Sequence, residues 1–112
     1  MPSALLELRW VAVLAWASLI FALSGTPRLD TGLGTWDLIL RKAAHVSAYA
    51  VLGLLLARVL PPIAAWLAGV VYAASDELHQ HFVPGRHGAP LDVAIDAVGL
   101  LLGILLLRRL SR

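Results

Sequence analysis

From Leu5 to Leu107 the chain consists of apolar runs that carry very few charges and are separated by short breaks. Nothing else in the sequence restricts its folding as tightly. The runs are apolar on all sides, whereas a surface helix of a water-soluble bundle needs a polar face. Only 14% of the residues are Lys, Arg, Asp or Glu, against roughly 25% in an ordinary soluble domain. Lipid is therefore the solvent this chain fits, and a helix needs about 20 apolar residues to cross it.

The predicted fold is all-α: one domain over residues 1–112, an integral membrane bundle of four transmembrane helices with short loops. The spans are placed at about 5–23, 38–60, 63–82 and 91–107. Gly25, Pro27, Gly32 and Gly34 break the chain after the first span, Pro61-Pro62 after the second, and Pro84-Gly85 after the third. The first run has the length of a signal-peptide core, but no small-x-small cleavage pattern follows it near Ser24-Gly25-Thr26. It reads as a retained helix.

An even number of spans puts both termini on one side. Arg9, Arg58, Arg108, Arg109 and Arg112 lie on that side, and Arg28, Arg41, Lys42 and Arg86 on the other. The positive-inside tendency then favours cytoplasmic termini. The same topology gathers the start of span two, the end of span three and the start of span four at one membrane face. Arg41, Lys42, His45, Asp76, Glu77, His79, His81, Arg86, Asp92 and Asp96 all fall there.

Helical spacing orders these groups. Arg41, His45 and Tyr49 share one stripe, Tyr72, Asp76, His79 and Gln80 another, and Asp92, Asp96, Gly99 and Gly103 a third. Ionisable groups inside the apolar zone are expensive, so the stripes should face one another. Arg41, Lys42 and Arg86 can balance the carboxylates, and a proton or a metal could serve equally between Asp92 and Asp96.

The stretches RKAAHVSAYAVLGLLLAR, at positions 41–58, and YAASDELHQHFVPGRHGAPLDVAIDAVGLLLG, at 72–103, carry a resemblance. They resemble the two signatures of the VanZ-like family of small bacterial membrane proteins. The second is the sharper: DE-x-HQ-x-F-V-P-G-R, a spacer, then D-x-x-x-D/N-x-x-G. The resemblance carries over to Arg41, Lys42, His45, Tyr49, Asp76, Glu77, His79, Gln80, Phe82, Pro84, Gly85, Arg86, Asp92, Gly99 and Gly103. It implies a multi-pass protein of the bacterial cytoplasmic membrane, in a family named for resistance to teicoplanin, a glycopeptide antibiotic. The chain departs from the pattern at Ala48, where members often have Glu, and at Asp96, where Asn is usual.

Several readings of the polar residues stay open. His45, Asp76, Glu77, His79, Asp92 and Asp96 are candidate acid–base groups. Asp76, His79, Asp92 and Asp96 are candidate ligands of a divalent metal, although D-E-x-x-H lacks the two histidines of a zincin helix. Each of these groups can equally belong to ion pairs at a helix end, and His45 can simply donate to a carboxylate such as Asp76. Arg41, Lys42 and Arg86 are candidate ligands for a phosphate or carboxylate head group. Tyr49 and Tyr72 read as packing residues with one satisfied hydroxyl. Trp10, Trp16, Trp36 and Trp66 read as interface anchors or lipid-facing bulk.

Gly99-x-x-x-Gly103 should seat a neighbouring helix of the same chain rather than form a dimer seam. The net charge of +2 is too small and scattered for a nucleic-acid partner. With no cysteine, disulfide and thiolate chemistry are excluded. Three functions remain: recognition of an anionic lipid or cell-wall precursor head group in a small polar pocket between spans two, three and four, hydrolysis or transfer on a phosphorylated lipid in that pocket, and a non-catalytic accessory role in the membrane.

Overall fold

The computed structural model describes residues 3–24, 35–83 and 90–111. They form four α-helices: α1 (Ser3–Ser24), α2 (Thr35–Ala57), α3 (Pro62–His81) and α4 (Pro90–Leu110). The turn between α2 and α3 has a local cause. Pro61 disfavours helical backbone at Leu60, so α2 stops at Ala57, short of the expected end near Leu60. Tight bonds from Arg58 N to Leu55 O (3.2 Å) and Val59 N to Leu56 O (3.0 Å) close it. Pro62 then begins α3 where a missing N–H costs nothing. At the other terminus α4 runs past Arg108 and Arg109 to Leu110, further than expected, because arginine is a good helix former near a C-terminus.

Pairs along α2 and α4 climb together: Lys42 meets Asp92, His45 meets Asp96, and Ala50 meets Gly103. These helices therefore run in the same direction, with α3 as the antiparallel return. Glycine brings them into backbone contact. A Cβ on Gly99 would lie 2.7 Å from the carbonyl oxygen of Val46. One on Gly103 would fall on the carbonyl of Ala50, and one on Gly53 on that of Leu100. The Gly99-x-x-x-Gly103 seam is thus intramolecular, as expected, and Gly53 is its unforeseen counterpart on α2. Among the described residues, α1 packs on α2 and α3 but not on α4.

The exterior is far more apolar than that of a soluble protein, and polar groups join the apolar core. The outward faces carry Leu14, Phe21, Ile63, Val71, Leu102 and Leu106, all exposed. The buried set includes Asp37, Asp76, Gln80 and Asp96. An apolar exterior this extensive needs hydrocarbon around it.

Among the described residues, three helices are long and apolar enough to cross a membrane: Ser3–Ser24, Ile39–Ala57 and Pro90–Leu110. Of the four expected spans, α3 does not meet that measure. Its last two turns hold Ser75, Asp76, Glu77, His79, Gln80 and His81, and these dilute its apolar character. The first three turns remain apolar, and Ile63, Leu67 and Val71 face outward.

Candidate functional site

The polar side chains meet at the end of the bundle formed by the C-termini of α1 and α3 and the N-termini of α2 and α4. Each of the three expected stripes faces the interior there, as its spacing predicts. The partners are individual. Lys42 Nζ pairs with Asp92 Oδ1, near the surface. One turn deeper, His45 Nδ1 lies 2.9 Å from Asp96 Oδ1, whose side chain is 2% exposed. One turn deeper again, the Tyr49 hydroxyl donates to Asp76 Oδ2 at 2.9 Å. These three rungs climb α2 at i, i+3 and i+7, the period of one helix face.

The third rung extends toward α1. Gln80 Nε2 stands 3.4 Å from Asp76 Oδ2 and 3.4 Å from Ser24 Oγ, all three residues being buried. The other carboxylate oxygen of Asp76, Oδ1, is buried without a hydrogen-bond partner among the described residues. The rings of His45 and Tyr49 lie nearly parallel, with centroids 6.3 Å apart.

His45 donating to Asp76 was the pairing considered from sequence. In the structure Asp96 takes that place and Asp76 belongs to Tyr49. An ionised Asp96 can only accept, which puts the ring proton on Nδ1 and leaves Nε2 as the basic nitrogen of a neutral imidazole. This is the arrangement in which a buried acid orients a histidine base.

The candidate metal set is not brought together. Asp92 and Asp96 are taken by Lys42 and His45, and the His79 ring stacks on Phe21 at 4.0 Å, beside α1. Among the described residues, no three His, Asp or Glu side chains converge as a metal site. Glu77 is half-buried and His81 is exposed, its ring edge toward Phe82.

Of the candidate anion ligands, Arg41 is half-buried and its Nε donates to the carbonyl of Asp37 at 3.3 Å. Lys42 is engaged by Asp92. Arg86, with Pro84 and Gly85, lies outside the described residues, as does Arg28.

The expected pocket between spans two, three and four is filled by the three rungs, and it is α1 and α2 that part to leave a cleft of about 220 Å³. Ile20, Leu23 and Ser24 line it from α1, and Arg41, His45 and Tyr49 from α2. Ala48, where a larger acid is usual in the pattern matched from sequence, also lines it.

Trp16, Trp66 and Tyr72 were named from sequence without their backbone partners, and Asp37 was not named at all. Trp16 Nε1 donates to Ala48 O at 2.8 Å, and Trp66 Nε1 to Ala97 O at 3.0 Å. These two indoles tie helices together, in contrast to the lipid-facing role expected of all four; Trp36 does face outward. Tyr72 donates its hydroxyl to Ala17 O, which docks α1 on α3. Asp37 is buried at the first turn of α2.

The family model described as VanZ/LLP1 matches residues 6–111 of the chain. No curated protein and no solved structure matches it.

Proposed function

The chain belongs to the VanZ/LLP1 family, and on that premise we propose that its cleft recognises the anionic head group of a membrane lipid or a lipid-linked cell-wall precursor. The observation that carries this reading is the cleft itself, where Arg41, His45 and Tyr49 line one wall of an otherwise apolar opening. The Nε of Arg41 is held by a backbone carbonyl. That fixes the plane of the guanidinium, whose terminal nitrogens can then grip a phosphate in two-pronged fashion.

In this reading α3 crosses the bilayer as a fourth span, sheltered by its neighbours. Its Asp76 and Gln80 face inward, its Ile63, Leu67 and Val71 face outward, and the termini lie on the cytoplasmic side of the bacterial membrane. A cleft that binds a cell-wall precursor would also account for a part in glycopeptide resistance.

One observation favours a second reading, an acid–base hydrolase or transferase on a phosphorylated lipid. His45 lines the cleft and is oriented by the buried Asp96. Such a pair can accept a proton from a nucleophile without help from a metal.

The test of head-group recognition is native mass spectrometry of protein released from nanodiscs with equal phosphatidylglycerol and phosphatidylcholine. The wild type should retain phosphatidylglycerol preferentially, and Arg41→Gln should lose that preference. An unchanged preference in Arg41→Gln would remove the basis of the proposal.

A further inference from the structure

The walls of the cleft differ in kind, and this bears on how a ligand arrives. Ile20 and Leu23 of α1 present branched apolar side chains. On α2, Arg41 stands at the outer end, Ala44 and Ala48 leave a shallow channel one and two turns below, and His45 and Tyr49 line the inner wall at the same depths. Leu23 is 58% exposed and Ala44 is exposed as well. The cleft therefore opens sideways onto the apolar exterior of the bundle. Trp16 pins α1 to α2 at the Ala48 carbonyl, so the two helices part only from that level toward Ser24 and Arg41.

A site for a water-soluble anion has no need of a lateral opening or an apolar channel beneath the cation. A lipid needs both, because its phosphate stays at the interface while its chain runs inward. From Arg41 to Ala48 the channel descends roughly 10 Å at the helical rise, in the direction a chain would follow. Resting on the head-group reading above, we propose that the cleft takes a phospholipid-type ligand laterally from the bilayer, its phosphate at Arg41 and one acyl chain along Leu23, Ala44 and Ala48.

The wild-type protein, in nanodiscs of phosphatidylcholine with a minor share of phosphatidylglycerol bearing a diazirine in its acyl chain, provides the first test. Photolabel should concentrate on the peptides containing Leu23 and Ala44, and unlabelled phosphatidylglycerol should compete it away while sn-glycerol 1-phosphate does not. Ala44→Phe provides the second, since it fills the channel from an exposed position and spares the buried core. It should lower phosphatidylglycerol retention about tenfold.

Label spread evenly over outward residues such as Leu102 and Leu106, or full competition by sn-glycerol 1-phosphate, would overturn the inference. Retention lost in Arg41→Gln but unchanged in Ala44→Phe would overturn the acyl-chain assignment and leave the head-group reading in place. An Arg41→Gln protein that behaves as wild type would overturn both.

Discussion

The Nδ1 of His45 and the Oδ1 of Asp96 lie 2.9 Å apart, and this contact joins α2 to α4 one turn inside the end of the bundle. Asp96 is 2% exposed in its side chain while His45 keeps 23%, so the acid is enclosed and the base borders the cleft. Three rungs repeat the pattern: a side chain of α2 meets an acid of α3 or α4, and each successive rung lies deeper. The same polar groups that bind these helices together thus form the inner wall of the cleft.

Removing one member of the His45–Asp96 contact should cost more than removing both. His45→Leu leaves a buried carboxylate without its donor, an expected loss of about 1–3 kcal/mol and more if it stays ionised. The double variant His45→Leu/Asp96→Leu should be more stable than the sum of the singles implies, because no orphaned polar group remains. Asp96→Asn retains an acceptor oxygen and should fold as wild type. Unfolding in mixed micelles provides the comparison, and additive single losses would show that the contact is not formed.

Tyr49→Phe removes the 2.9 Å bond to Asp76 and leaves that carboxylate with Gln80 at 3.4 Å. Asp76 Oδ1 already has no partner among the described residues. The expected loss is about 1–3 kcal/mol, larger than for Tyr72→Phe, whose hydroxyl bonds the backbone of α1 at a half-buried position. Interhelical bonds in membranes average about 0.6 kcal/mol, and the Tyr72 variant should lie near that figure. Equal losses for the two tyrosines would contradict the order.

Gly103→Ala should be poorly tolerated, since its methyl would fall on the carbonyl of Ala50, part of a helix backbone with nowhere to move. Gly69→Ala meets only the side-chain end of Leu100 and should cost less. Yields of folded protein and thermal midpoints in detergent would rank the two. A Gly103→Ala protein as stable as Gly69→Ala would mean that α2 and α4 do not approach through this seam.

Much of this arrangement could be read from the sequence, because topology alone decides which helix ends share a level. Short loops between apolar runs force the Arg41, Asp76 and Asp92 regions together whatever the detailed packing. The stripe containing Asp96, Gly99 and Gly103 was legible for the same reason: helical spacing puts all three on one face. Partner choice was not legible. Whether His45 meets Asp76 or Asp96 depends on the rotation of α2 by a fraction of a turn, and that is set by the glycine seam, including the unnoticed Gly53.

The apolar character of the chain also concealed detail. Trp16 and Trp66 carry one donor each on a large apolar ring, so composition suits them equally to the lipid interface and to a helix–helix bond. Their carbonyl partners, at Ala48 and Ala97, leave no trace in side-chain identity. The cleft was invisible for a related reason. It arises where α1 and α2 part, and small residues such as Ala44 and Ala48 are as common in tight packing as in openings.

The topology proposed above has all four helices traverse the bilayer and bring their polar ends to one face, with α3 crossing in spite of its polar turns. The chain contains no cysteine, so single cysteines introduced at Trp36, Ile63, Phe82 and Leu110, all exposed, can be labelled with a membrane-impermeant maleimide in oriented vesicles. The account expects positions 36 and 82 to label from one side, and 63 and 110 from the other. Labelling of 63 and 82 from the same side would show that α3 does not cross, and would contradict the account.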